Sequence, residues 1–94
     1  MIVTVTHDSD HHQFIAVVDG KIASLKYSLS ADGKTIDYYS TFVPPELRGQ
    51  GIAQSIVKFG LEYAKENNFR VIPSCSFVEA YIDLHPEYKD ILQN

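Results

Sequence analysis

The segment Val43-Pro44-Pro45-Glu46-Leu47-Arg48-Gly49-Gln50-Gly51-Ile52-Ala53 carries the residue pattern best suited to chemistry. Its prolines end any preceding strand, because proline cannot donate to a ladder. Gly49 and Gly51 follow, and an apolar run at helical spacing starts at Ile52. A helix start leaves several backbone N–H groups unpaired, and the helix dipole adds partial positive charge there. The two glycines let the main chain approach an anion, and Ala53 keeps the first helical turn small. These features suit a pyrophosphate site. Arg48 either adds charge or pins the loop. The competing reading is that glycine and proline only punctuate a strand–helix turn. The segment lacks the Gly-Lys-Ser/Thr ending of a P-loop and the three glycines of a dinucleotide fingerprint.

Other reactive side chains are few. Cys75 is the only cysteine, so an intrachain disulfide and a four-cysteine zinc cage are excluded. It falls after a short strand pattern at an expected helix start, where the dipole lowers a thiol pKa. Glu79, Asp37 and His85 are the candidate bases, each also readable as a surface residue. His7, Asp8, Asp10, His11 and His12 are metal-ligand types. Their loose spacing without a cysteine reads as a solvated loop rather than a metal site.

These groups need elements to position them. The run Phe14–Val18 and the alternating stretch Lys21–Leu29 flank Asp19-Gly20, a strong signal for a type I′ hairpin turn. Alternation puts Ala23, Leu25, Tyr27 and Leu29 on one face. Asp32-Gly33 marks a second turn, and Thr35–Val43 reads as a third strand with Tyr38-Tyr39 packed within it. Residues 2–6 are a candidate edge strand. Ile52, Ala53, Ile56, Val57, Gly60, Leu61 and Ala64 form one face of a helix ending near Asn67-Asn68. Gly60 costs on the order of 1 kcal/mol inside a helix, so it predicts close packing of helix on sheet. Arg70–Pro73 reads as a strand, Ser74-Cys75-Ser76 as a cap, and Phe77–Leu84 as a second helix halted by Pro86, with a terminal helical turn between Glu87 and Leu92. The order is that of an α+β (or α/β) sheet with the long helix on one face.

Composition bounds the rest. Ninety-four residues, 45% hydrophobic and 21% charged, predict one globular domain over residues 1–94. A net charge of −4 argues against a nucleic-acid partner and leaves cationic amines open. The start lacks a basic n-region, and no apolar run approaches the roughly 20 residues of a membrane helix. A cytoplasmic protein with no membrane partner is the expectation.

The stretch Val43-x-Pro45-x-x-Arg48-Gly49-x-Gly51-Ile52-Ala53 resembles the acetyl-coenzyme A signature of the GNAT superfamily of N-acetyltransferases. Its core pattern, Gln/Arg-x-x-Gly-x-Gly/Ala, is met by Arg48, Gly51 and Ala53. Ile72-Pro73-Ser74-Cys75-Ser76-Phe77-Val78 and His85-Pro86-Glu87-Tyr88 are similar to the very short YjdJ-type branch. The resemblance implies a minimal GNAT fold: an antiparallel meander, then helix, parallel strand and C-terminal helices.

The resemblance further implies that acetyl-coenzyme A is the cofactor. Its pyrophosphate would be held by N–H groups of Gln50, Gly51, Ile52 and Ala53, beside Arg48 and Gly49. Phe42 and Val43, at the end of the third strand, would splay from the Ile72 strand and admit the pantetheine arm. The Val43 N–H is the candidate for polarising the thioester. Cys75 is then a nucleophile, a pocket-lining contact or packing. Tyr81 lies in a stretch resembling the late helix whose tyrosine protonates the thiolate, although His85-Pro86 departs from the wider pattern. Ser40 stands where the branch carries histidine, which favours deprotonation through water. The implied activity is direct N-acetylation of a small amine or a lysine side chain. The alternative is a coenzyme A-binding module with little turnover.

Overall fold

Asp19 and Gly20 both take positive φ, 52° and 75°, the backbone that a two-residue type I′ turn demands. They join the second and third of five strands in the computed structural model, which describes residues 3–93. The strands are β1 (Thr6–Asp8), β2 (Gln13–Val18), β3 (Lys21–Leu29), β4 (Thr35–Phe42) and β5 (Arg70–Ile72). Two helices, α1 (Ile52–Glu66) and α2 (Ser76–Leu84), follow β4 and β5. The sheet order is β1-β2-β3-β4-β5, antiparallel throughout except for the parallel β4–β5 pair. This is the α+β architecture expected from the sequence. No helix among the described residues is long and apolar enough to cross a membrane.

One face of the sheet carries the core. Phe14, Ala16, Ala23, Leu25, Tyr27, Ile36, Tyr38 and Val71 point to it, and α1 covers them with Ile52, Ile56, Val57, Leu61 and Ala64. Val78, Tyr81 and Ile82 of α2 join the same cluster. Full burial of each large aliphatic side chain contributes about 1.5–3 kcal/mol. Gly60 lies where α1 meets the sheet. A Cβ there would come within 2.8 Å of Leu25 Cδ2, so the close packing expected from this glycine is present. The helix ends in a Schellman motif: Asn68 is left-handed at φ 60°, and Phe69 N–H donates to Ala64 O at 2.9 Å.

Several expectations need correction. Leu29 is 41% exposed rather than inward, at the last position of β3, where the sheet meets its turn. The edge strand spans Thr6–Asp8 and not residues 2–6; residue 2 lies outside the described residues. His7 and Asp8 are therefore strand residues. His7 stacks on Phe14 with ring centroids 4.4 Å apart, and its Nε2 is 2.7 Å from the Tyr27 hydroxyl. The imidazole packs at the core margin and is no part of a solvated loop. A register shift opposite Lys26/Tyr27 inserts Tyr39 as an extra residue in β4, so Tyr38 and Thr41, three apart, pair with the buried Tyr27 and Leu25, and Tyr39 is half exposed.

Candidate active site

The β4–β5 pairing covers only Thr35–Asp37 against Arg70–Ile72. One further bond, Cys75 N–H to Tyr38 O at 2.9 Å, closes the seam. Beyond it β4 runs on to Phe42 with no partner on that side. The chain then turns back toward α1. Leu47 is buried and anchors the turn. Arg48 Nε donates to Val43 O at 3.1 Å, and Lys21 pairs with Glu46 at 3.3 Å. The exposed ion pair contributes little energy, but it ties the loop to the start of β3.

Between the end of β4 and the start of α1 lies a cavity of about 400 Å³. Phe42, Val43, Arg48, Gly49, Gly51, Ile52 and Ala53 line it, along with Thr41, Leu47, Gln54 and Phe77. Gly51 is the N-cap of α1, left-handed at φ 78°, and no side chain caps the helix. The first main-chain acceptor in the helix, Gly51 O, is taken by Ser55 N–H at 3.1 Å. The N–H groups of Gly51, Ile52, Ala53 and Gln54 therefore have no intrahelical acceptor. Gly49 is also left-handed, at φ 83°. A Cβ built on either glycine meets nothing within 4 Å. Backbone conformation, not protein packing, requires glycine here, and the space in front of it is open.

Gln50 does not line this cavity, and neither does Cys75 or Tyr81. Cys75 is half-buried at the N-cap of α2, one side chain away. Its Sγ is 3.3 Å from Thr41 Oγ1, and Thr41 is on the wall. Burial pushes the thiol up; hydrogen bonding from Thr41 and the N–H groups of Val78 and Phe77 outweighs it and holds the thiol below its ordinary range. The start of α2 thus favours the ionised form of the thiol.

Tyr81 is buried between α1 and α2. Its ring stacks on His85 at 4.0 Å, and His85 Nδ1 donates to Tyr81 O at 2.9 Å. Burial pushes the Tyr81 hydroxyl up, as do Glu87 and Glu62. Of the candidate bases, none lines the cavity, and no carboxylate or imidazole does. No group of three or more His, Cys, Asp or Glu able to hold a metal occurs among the described residues. Thr41, Leu47, Gln54 and Phe77 were not apparent as wall residues from the sequence. Thr41 is adjacent to Phe42, but which wall it faces depends on the bulge at Tyr39.

A left-handed glycine thus opens α1 behind a strand that leaves its parallel neighbour. Residues 13–91 match the profile of the GCN5-related N-acetyl-transferases, and the chain belongs to that family. It is 30% identical over 95 residues to protein NATD1 of Xenopus tropicalis, covering 97% of this chain and 86% of that one. Identity to protein NATD1 of Homo sapiens is 28%, covering 97% and 83%. The solution structure of a GCN5-like protein from Staphylococcus aureus superposes with a TM-score of 0.73 at 28% identity, over 97% of this chain and 88% of the other.

Proposed function

We propose that the chain binds acetyl-coenzyme A in the cavity between β4 and α1 and transfers the acetyl group directly to a primary amine, either a small amine or a lysine side chain. The observation that carries this reading is the set of open N–H groups at the start of α1, facing a cavity that no side chain fills. Main-chain donors at a helix N-terminus suit a pyrophosphate. Arg48 braces the loop that presents them. Phe42, Val43 and Phe77 offer an apolar wall for the pantetheine arm. When bound, acetyl-coenzyme A supplies an activated acetyl thioester. The main-chain N–H groups where β4 runs out past its partner, that of Val43 just beyond the strand among them, would polarise its carbonyl.

Direct transfer is preferred because a held amine gains from proximity at once, whereas passing the acetyl group to Cys75 exchanges one thioester for another with little driving force. The cavity wall contains no carboxylate or imidazole, so deprotonation of the amine runs through water. The same observation favours a second reading, a coenzyme A-binding module with little turnover. Calorimetry with acetyl-coenzyme A tests the binding step. We expect saturable binding by the wild type and its loss in Gly51→Val, whose branched side chain is strained at positive φ and enters the anion's space. A wild type that gives no heat overturns both readings. Release of free thiol that depends on an added amine, such as a lysine peptide, separates enzyme from module.

A further inference from the structure

We propose that a second cavity, on the flank of α1 that faces the N-terminal segment, binds a zwitterionic α-amino acid with an apolar side chain. The cavity holds about 510 Å³ and shares no lining residue with the one between β4 and α1. Val3 and Val5 form one wall; both are half-buried and alternate with the exposed Thr4 and Thr6. The other wall is a stripe of α1 that includes Lys58, Phe59, Glu62, Tyr63 and Glu66. Phe59 and Tyr63 both stand edge-on to the buried Phe14, at ring-centroid distances of 5.6 and 5.3 Å. That contact holds the two rings in place as an apolar floor, and Phe59 is still 40% exposed. An apolar cavity of this size with a few convergent polar groups suits a small molecule.

The charges on the rim select the ligand. Lys58 and Glu62 are one helical turn apart, beside Phe59 and Tyr63 at the same spacing. Side chains so spaced lie about 5–6 Å apart at Cβ, so a pair of opposite charges runs parallel to an aromatic pair. Lys58 precedes Glu62, the less favourable order for an intrahelical ion pair, and among the described residues neither forms one. Glu62 is instead held by the buried Tyr88, whose hydroxyl donates to Glu62 Oε2 at 2.6 Å. This leaves the second oxygen of Glu62 to accept from a ligand, and Glu66 adds another carboxylate one turn on. The ligand that fits presents an ammonium to Glu62 and Glu66, a carboxylate to Lys58 and an apolar group to the rings. An α-amino acid carries all three on one carbon. A simple amine would leave the Lys58 charge beside its own cation, and a simple acid would meet two carboxylates.

The proposal does not depend on acetyl-coenzyme A and is tested with phenylalanine as the probe, by amide NMR titration of the free protein. The largest shifts are expected at Val3, Val5 and along Ser55–Glu66 rather than at Gly49 and Gly51. For a ligand of this size in an open cavity the dissociation constant should be on the order of 1 mM. Phenethylamine, which lacks the carboxylate, and hydrocinnamate, which lacks the ammonium, should each bind about tenfold more weakly, having lost one charge-assisted contact. Lys58→Met should weaken phenylalanine about tenfold without weakening phenethylamine, as a cycle over ligand and residue requires of a facing pair. Lys58 is exposed, so this variant keeps the fold. Glu62→Gln, which retains an oxygen for Tyr88, should weaken phenylalanine and phenethylamine alike. No saturation by phenylalanine up to about 20 mM, shifts centred on the β4–α1 cavity, or equal affinity for the three ligands overturns the proposal.

Discussion

The Tyr38 hydroxyl donates to the carbonyl oxygen of Gly60 at 2.5 Å, joining the centre of the sheet to the middle of α1. The bond is possible because residue 60 has no Cβ to hold the helix away. The same contact fixes the height of α1 above β4, and hence the width of the cavity at the other end of the helix.

Tyr38→Phe removes this bond and is expected to cost about 1 kcal/mol. Gly60→Ala gains helix propensity of about 1 kcal/mol but drives a methyl into Leu25 and the Tyr38 ring. Overpacking typically costs about 1–3 kcal/mol, so net destabilisation is expected. Urea denaturation measures both. A more stable Gly60→Ala protein would show that Leu25 can move aside.

Arg48→Ala is expected to weaken acetyl-coenzyme A binding by about tenfold or less, because main-chain N–H groups carry the anion. Gly51→Val should cost roughly a hundredfold or more, equivalent to about 3 kcal/mol. Titration calorimetry of both variants checks the ranking, and the reverse order would make Arg48 the principal phosphate ligand.

Cys75 should be alkylated near neutral pH faster than an ordinary thiol, since its pKa is lowered. Thr41→Val removes a donor that favours the thiolate, so the midpoint of the rate–pH profile should move up. Bound acetyl-coenzyme A should slow the reaction by filling the cavity whose wall Thr41 forms. Intact mass after incubation with acetyl-coenzyme A and no amine should show no acetyl adduct. An adduct that forms and decays at the catalytic rate, and is lost in Cys75→Ser, would make Cys75 the nucleophile.

Stability should fall as pH drops below the ordinary histidine range, in part through His7. Burial lowers its pKa, His12 adds to this, and Asp8 opposes it. The unfolded chain therefore takes up the proton first. The His7 contribution is complete above the unfolded pKa of about 6.5 and declines as pH falls toward the folded value. His11 acts with the opposite sign, its pKa being raised by the hydrogen bond and charge of Asp8. The comparison that isolates His7 is the pH dependence of the melting temperature in His7→Phe, which keeps the stack on Phe14 and should flatten the profile. An unchanged profile would assign the slope elsewhere.

Much of this was legible in short stretches of chain. Asp19-Gly20 can hardly do other than turn, the spacing from Ile52 to Ala64 admits one helical face, and Asn68 supplies the left-handed residue that ends it. Gly49 and Gly51 mark a helix start that holds no side-chain cap. What escaped depends on partners distant in sequence. Nothing around Tyr38-Tyr39 says that one tyrosine is a bulge, so the inward placement of Thr41 could not be read. His7 looked like a loop residue because its stacking partner Phe14 and its hydrogen-bond partner Tyr27 come from other strands. Tyr81 lies on the expected helix, yet its heading toward His85 and away from the cavity is set by how α2 lies against α1.

The three-residue seam between β4 and β5 also bears on how the chain assembles. Every other strand pairing joins neighbours across a short connection, with low cost in loop-closure entropy. The β4–β5 pairing must instead enclose all of α1, making it the least local contact in the sheet and, by the contact-order relationship, the slowest to gain. It is also short, so few hydrogen bonds resist its release. Because α1 supplies the cover of the core that β2 to β4 present, a ligand that bridges β4 and α1 should slow hydrogen exchange in the β4–β5 seam more than in the β2–β3 hairpin. A ligand spanning β4 and α1 would therefore act as a clasp across this short seam.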